Sequence, residues 1–386
     1  MSAEDNKTPT TVTPTAVEAA AVAGWSTEEG ATAKLTLMPG GATGRTFKLE
    51  AESGESSPPP VIVRALLPTS DDRQYARVSE ILAKASVAPP VVGSTETLVV
   101  SEFVSGKPSD ATTFDGNEAA LKSAARLAAK LHTVDVETIR AVRPARENEL
   151  LLWHKWARKS IPSLPDDVFD VLNVEINSCN SLRKLKGAAG SVVVGHGDLH
   201  PGNILIGDLD EAGNGDAWLV DLEHVCPRVA AEDIAYLFAV WGDLRYMAGW
   251  TPSADEPTPY APFDRRKAFA EQYLGTRSGE TPSEETVVEF LYEVERAGVA
   301  QRLRLMFIWI LIARGDPNHM LVGAVSAFIP HVRSALTILK AAEEGDSSVK
   351  DDVVKRGVIA YAAAKAATAA ATAAAAISPA QPQEVN

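Results

Sequence analysis

Cysteine is scarce: Cys179 and Cys226 are the two in 386 residues, far apart and outside any C-x-x-C spacing. That excludes a disulfide scaffold, argues against a structural zinc and suits a reducing compartment. Basic charge is in deficit, 37 Lys+Arg against 51 Asp+Glu for a net −14. No broad basic face for nucleic acid is expected, and any phosphate must be held locally. Long apolar runs are missing too. The densest, Leu305 to Ala313, has nine residues and stops at Arg314, whereas a membrane span needs about 20, so it reads as a core helix. The opening MSAEDNKTPTTVTPTAVE has neither an apolar h-region nor an Arg-rich amphipathic pattern, and a soluble cytoplasmic protein is expected.

What is present is a chain of 45% hydrophobic composition, enough for two lobes. Residues 1–24, rich in Thr, Ala and Pro, read as a disordered tail. Residues 343–386 read as a low-complexity, Ala-rich tail, of which 350–377 can form a surface helix. Between them, residues 25–104 hold strand-like runs (LTLM, TFKLE, VIVRALL, LVVSEFV) and one helix over about 71–86. Residues 105–342 turn helical. AALKSAARLAAKLHTV places Leu121, Ala125, Leu127, Ala128 and Leu131 near one face, and further helices are predicted over about 232–250, 263–274, 284–301 and 302–340. One island, Val192 to Glu223, interrupts them with strands VVV, NILI and AWLVDLE. The class is α+β: a small β-rich lobe on a larger helical one, with the chemistry between them.

The island carries the chemistry. Phosphoryl transfer of the kinase type needs a carboxylate near the attacking hydroxyl, and an amide oxygen and a second carboxylate for magnesium. Asp198 is followed five positions later by Asn203, and Asp221 follows the apolar strand Trp218 to Val220, which is the kinase spacing. His196 would brace the loop. Glu223 would point to the same side as Asp221 if the chain stays extended. A rival reading takes His196-x-Asp198-x-His200 as a zinc or iron cluster, but the other five histidines form no second group. The acidic loop Asp208 to Asp216 imitates a calcium loop, yet its fifth and twelfth positions are Ala212 and Leu219, so a solvated hairpin is expected. The segment Pro39 to Gly44 would be an ordinary turn in isolation. Arg64, the one charge in VIVRALL, follows it and gives the glycines a phosphate to cradle.

HGDLHPGNIL, followed by LVDLEH and AAEDIAYLFAVW, resembles the aminoglycoside phosphotransferase and choline/ethanolamine kinase superfamily over about residues 33–342. HGDLHPGN is nearest the aminoglycoside pattern. The strand arginine, VAPPVVG, YAPFDRRKAFAEQYL and FIWILIAR look like choline/ethanolamine kinases. The resemblance implies a protein-kinase-like bilobal fold that moves the γ-phosphoryl of ATP, with Mg2+, to the hydroxyl of a small cationic alcohol such as choline or ethanolamine, a phospholipid precursor. It allows a homodimer. Asp198 would accept the hydroxyl proton, and Asn203, Asp221 and Glu223 would serve the metal. Gly40, Gly41 and Thr43 would cover the phosphates, and Arg64 would contact them. The backbone of Ser101, Glu102 and Val104 would meet adenine. Asp233 would hold the catalytic-loop backbone, and Trp241, Tyr246 and Trp309 would form an aromatic box for the cation.

The chain also departs from that pattern. Choline kinases usually carry Asn at Gly197, Ser-Asn at Thr43-Gly44 and often a second tryptophan at Met306. The glutamate that should pair with the strand cation falls near Tyr75, with Glu80 five positions on and Asp71 and Asp72 before it. An aminoglycoside- or sugar-type phosphotransferase, or a nucleotide-binding pseudokinase, are the alternatives.

Overall fold

The computed structural model describes residues 13–38, 45–52, 57–67, 70–145, 149–160, 185–210, 215–247, 260–312, 320–363 and 365. Five antiparallel strands, β1 (Lys34–Leu37), β2 (Thr46–Glu50), β3 (Val61–Ala65), β4 (Val91–Ser94) and β5 (Leu98–Glu102), form one sheet in the order β1-β2-β3-β5-β4. Phe47 and Leu49 are buried while their neighbours in β2 stay half-buried, the period of two that a half-covered strand requires. One sheet face packs Phe47, Leu49, Val61, Val63 and Val100 into a small core. The other side meets the helix Ser70–Lys84, whose Val78 and Leu82 belong to the main core together with Val99.

The main core lies among the helices Glu118–Leu131, Ala230–Met247, Phe263–Ser278 and Glu284–Ile312. Their neighbours include two small sheets. One holds β6 (Lys107–Pro108), β8 (Ile204–Leu209) and β9 (Gly215–Leu219), and the other pairs β7 (Val192–Gly195) with β10 (Cys226–Val229). The fold is α+β and protein-kinase-like, a β-sheet N-terminal region followed by a helical remainder. Among the described residues no helix is long and apolar enough to cross a membrane.

Both terminal segments depart from expectation. Within residues 1–24, read as a disordered tail, the helix Ala16–Val22 is capped by Thr15 and Glu18, and just beyond that stretch Thr27–Thr32 is capped by Ser26 and Glu29, each a reciprocal capping box. Ala19 and Ala20 are buried against the sheet. Small side chains allow this close approach: a Cβ on Gly93 would lie 2.5 Å from the Val22 carbonyl oxygen. At the other end, Ser347–Arg356 is helical and buries Val349, Val353 and Val354, as do Val358, Tyr361 and Ala362 beyond it. Arg266, itself buried, donates to the carbonyls of Val354 and Lys355, each at 2.9 Å, and to Glu295 at 2.9 Å. The Ala-rich segment is therefore docked at least to residue 363. The helix expected to break near residue 301 instead runs unbroken over Glu284–Ile312, since nothing at 301–302 is a helix stop.

Candidate active site

β7 ends at Gly195 and hands the chain to a tight loop that runs through Asp198 to a single 3-10 turn, Pro201–Asn203, and on into β8. Asp233 organises this loop from below. Its carboxylate accepts from the backbone N–H of His196 at 2.5 Å and of Gly197 at 2.9 Å, and receives Nε2 of His132 at 3.3 Å. The guanidinium Nε of Arg228 adds charge at 3.7 Å. Burial alone would raise the Asp233 carboxyl, but the His132 hydrogen bond and Arg228 outweigh it and hold the group well below the carboxylate range.

His196 is fully buried and both ring nitrogens are committed: Nε2 donates to the Val220 carbonyl at 2.9 Å, and Nδ1 accepts from the Asp198 N–H at 3.3 Å. That occupancy removes it from any zinc cluster, and among the described residues no three His, Cys, Asp or Glu side chains gather as a metal-holding group. Asn203 donates its side-chain amide to the Asp198 carbonyl at 2.9 Å and to the Asp198 carboxylate at 3.3 Å. His200, bound through Nδ1 by the Gly202 N–H at 3.1 Å, turns Nε2 toward Asp198 Oδ2 at 3.7 Å. Tyr236 donates its hydroxyl to the same carboxylate. Burial works to raise Asp198, yet His200 and the Tyr236 hydrogen bond bring it below the usual value, so it is ionised at neutral pH.

The second acid cluster begins where β9 ends. Asn203 O accepts from Val220 N–H at 3.0 Å, which sets Asp221 beside the loop. Asp221 has φ 59° and ψ 58°, a left-handed conformation rare for a non-glycine residue and typical of sites that re-aim a side chain. The chain then makes a 3-10 turn, Leu222–His224, rather than the extended run expected. Glu223 nevertheless converges with Asp221, because Arg64 from β3 bridges them: Nη1 to Asp221 at 3.2 Å and Nη2 to Glu223 at 2.5 Å. Arg45 lies 3.9 Å from Glu223. Arg143 fixes the turn from the other side, donating to the carbonyls of Leu222, Glu223 and Val225 at 3.2, 2.8 and 3.2 Å.

The helix position expected to supply an acid presents an aromatic ring instead, with the Arg64 Cζ 4.6 Å from the centroid of Tyr75. Glu80 faces away and accepts from Ser94 at 3.1 Å and Arg77 at 3.3 Å. The side chains of Asp71 and Asp72 lie outside the described residues, as do Gly40, Gly41 and Thr43 entirely. Ser101 and Glu102 lie in β5, opposite Ile62 and Val61, and Val104 follows the strand's end.

Of the three residues expected to form an aromatic box, Trp241 is turned into the core. Trp241 is 0% exposed, donates Nε1 to Asp115 at 3.0 Å and sits edge-on to Phe114 at 5.3 Å. It is core, because its helix is apolar on nearly every side and the indole N–H finds its partner inward. The backbones of Tyr246 and Trp309 are helical, but their side chains lie outside the described residues. What does line Asp198 is Tyr236 and, behind its ring at 4.8 Å, the buried guanidinium of Arg304. Tyr236, His200, Arg143 and Arg304 have no spacing signature in the sequence, apart from His200 beside the loop acid.

The site thus brings a loop carboxylate held by an amide beside paired acids that face a cation from the sheet. The family model described as the Phosphotransferase enzyme family, APH, matches residues 34–263, and the chain belongs to that family. No curated protein matches it. Among solved structures it is similar to a choline kinase from Cryptosporidium parvum (TM-score 0.60, 16% identity, 86% of this chain and 92% of that one). It is similar also to the Plasmodium vivax ethanolamine kinase (0.59, 16%, 78% and 82%) and to a choline/ethanolamine kinase family protein from Mesorhizobium loti (0.54, 17%, 88% and 98%). At these identities the likeness is one of fold.

Proposed function

We propose that the protein transfers the γ-phosphoryl group of ATP to a hydroxyl of a small molecule, and that amino alcohols of the choline and ethanolamine class are its first candidate acceptors. The observation that carries the reading is the convergence of Asp198, Asn203, Asp221 and Glu223 opposite Arg64. The acceptor class draws on the names of the kinases whose fold the chain shares.

Asp198, ionised and held by the Asn203 amide and the Tyr236 hydroxyl, orients the acceptor hydroxyl and takes its proton. His196 and Asp233 keep the loop backbone in place for that carboxylate. Arg64 meets the triphosphate, and its planar fork suits phosphate oxygens as it suits the two carboxylates. The donor chemistry fits a hard divalent cation. Asn203 has spent its nitrogen on Asp198, leaving its carbonyl oxygen as a ligand, and Asp221 is adjacent across a backbone hydrogen bond. When bound, magnesium would neutralise charge on the phosphates.

A polyhydroxyl acceptor is the second reading, favoured by the buried cation Arg304 beside the Asp198–Tyr236 pair and by Trp241 being core. An ADP-release assay over a panel of amino alcohols, sugars and aminoglycosides tests both. Turnover is expected with at least one panel member and absent in Asp198→Ala. Binding of magnesium-ATP without turnover of any acceptor would replace the enzyme reading with a binding module.

A further inference from the structure

A guanidinium has two kinds of surface, an edge of N–H donors and two flat faces, and the faces stack well on aromatic rings. Arg64 uses its edge on Asp221 and Glu223, and one face lies over Tyr75 at 4.6 Å. Both residues are buried. Tyr75 is held in place within the main core. Its neighbour Gln74 accepts from Arg143 Nε at 3.2 Å, and the same guanidinium donates to the Glu223 carbonyl at 2.8 Å. The helix carrying Tyr75 and the turn carrying Glu223 are thereby tied together.

An acid at this helix position would draw N–H donors away from the edge, whereas a ring fixes the plane and leaves every donor on the edge for anions. Resting on the nucleotide-binding reading above, we propose that Tyr75 is the positioning residue of Arg64 in place of a helix carboxylate. Its ring holds the guanidinium plane while the edge exchanges its carboxylate partners Asp221 and Glu223 for the phosphates of a nucleoside triphosphate. Burial raises the Tyr75 phenol, so the ring stays neutral and adds no charge that would compete with the phosphates.

The test is calorimetric binding of magnesium-ATP to the full chain, which needs no acceptor. Tyr75→Phe is expected to bind within about 2-fold of wild type, and Tyr75→Leu about 5- to 30-fold more weakly, the range of a desolvated cation–π contact. In an Arg64→Met background, Tyr75→Leu should add no further loss. Progressively fluorinated phenylalanines at position 75, which keep the shape and weaken the ring's negative face, should raise Kd stepwise and serve if Tyr75→Leu does not fold. Wild-type affinity in Tyr75→Leu, a flat fluorination series, or a loss that persists undiminished without Arg64 overturns the inference alone. Failure of the wild type to bind magnesium-ATP overturns the reading beneath it as well.

Discussion

Asn203 grips Asp198 twice, through the backbone carbonyl at 2.9 Å and the carboxylate at 3.3 Å, with one side-chain amide. Replacing that donor by an acceptor sets two carboxylates against each other. Asn203→Asp is expected to lower kcat by about 10²-fold or more and to destabilise the loop by about 1–3 kcal/mol. Steady-state kinetics and a chemical melt measure the two effects, and an unchanged kcat would remove Asn203 from the machinery.

Gly197 is required by its surroundings. It has φ +82°, and a Cβ there would lie 2.5 Å from the His224 carbonyl oxygen and 2.3 Å from the Arg228 guanidinium. Gly197→Asn is expected to cost about 2–4 kcal/mol through left-handed strain and overlap. A change under about 0.5 kcal/mol in a urea melt would contradict this account of the loop.

The network under the loop predicts a pH dependence of stability. Burial depresses His132, whose Nε2 meets Asp233 and whose Nδ1 meets the Tyr273 hydroxyl at 2.7 Å. The unfolded chain therefore takes this proton first, and stability falls as pH drops below about 6.5, by up to about 1.4 kcal/mol per pH unit for one proton. Asp233, depressed in the fold, contributes stability that is present above about pH 3.9 and is lost as pH falls through its lower folded value. His200 and His331 are depressed too and share the first slope. Urea melts between pH 5 and 8 should show His132→Gln with a shallower slope than wild type, and parallel slopes would refute it.

Deleting residues 344–386 should destabilise the helical region rather than trim a tail. It strips Arg266 of two carbonyl partners and uncovers Val349, Val353 and Val354. The loss expected is at least about 3 kcal/mol, from burial of three valines alone. A truncated chain that melts like the full one would return this segment to the status of a tail.

The proximity of Asp198, Asn203 and Asp221 was legible because its constraints are local: the Asp198–Asn203 spacing and the apolar strand before Asp221 fix neighbours around one hairpin. The partner of Arg64 was not, since it depends on how a helix is rotated. Glu80, five residues past Tyr75, points about 140° away around the helix axis, and the structure turns it to Ser94. Trp241 misled for a related reason. A helix buried on nearly all sides gives no sequence cue to which aromatic faces a cleft, and the deciding contact, Asp115, lies in another helix. The terminal segments looked featureless in composition, although Thr15–Glu18 carried a readable capping signal. Their burial rests on tertiary contacts such as Val22 against Gly93, which composition does not encode.

In the proposed reaction Asp198 and the acids facing Arg64 move a phosphoryl group from ATP to an acceptor hydroxyl. Phosphorus NMR of ATP, magnesium and the acceptor panel with the full-length protein tests it most directly. The account predicts a phosphomonoester resonance growing in step with ADP for at least one acceptor, with the rate reduced about 10³-fold or more in Asp198→Asn. Loss of ATP to inorganic phosphate alone, or equal phosphomonoester formation by Asp198→Asn, would contradict it.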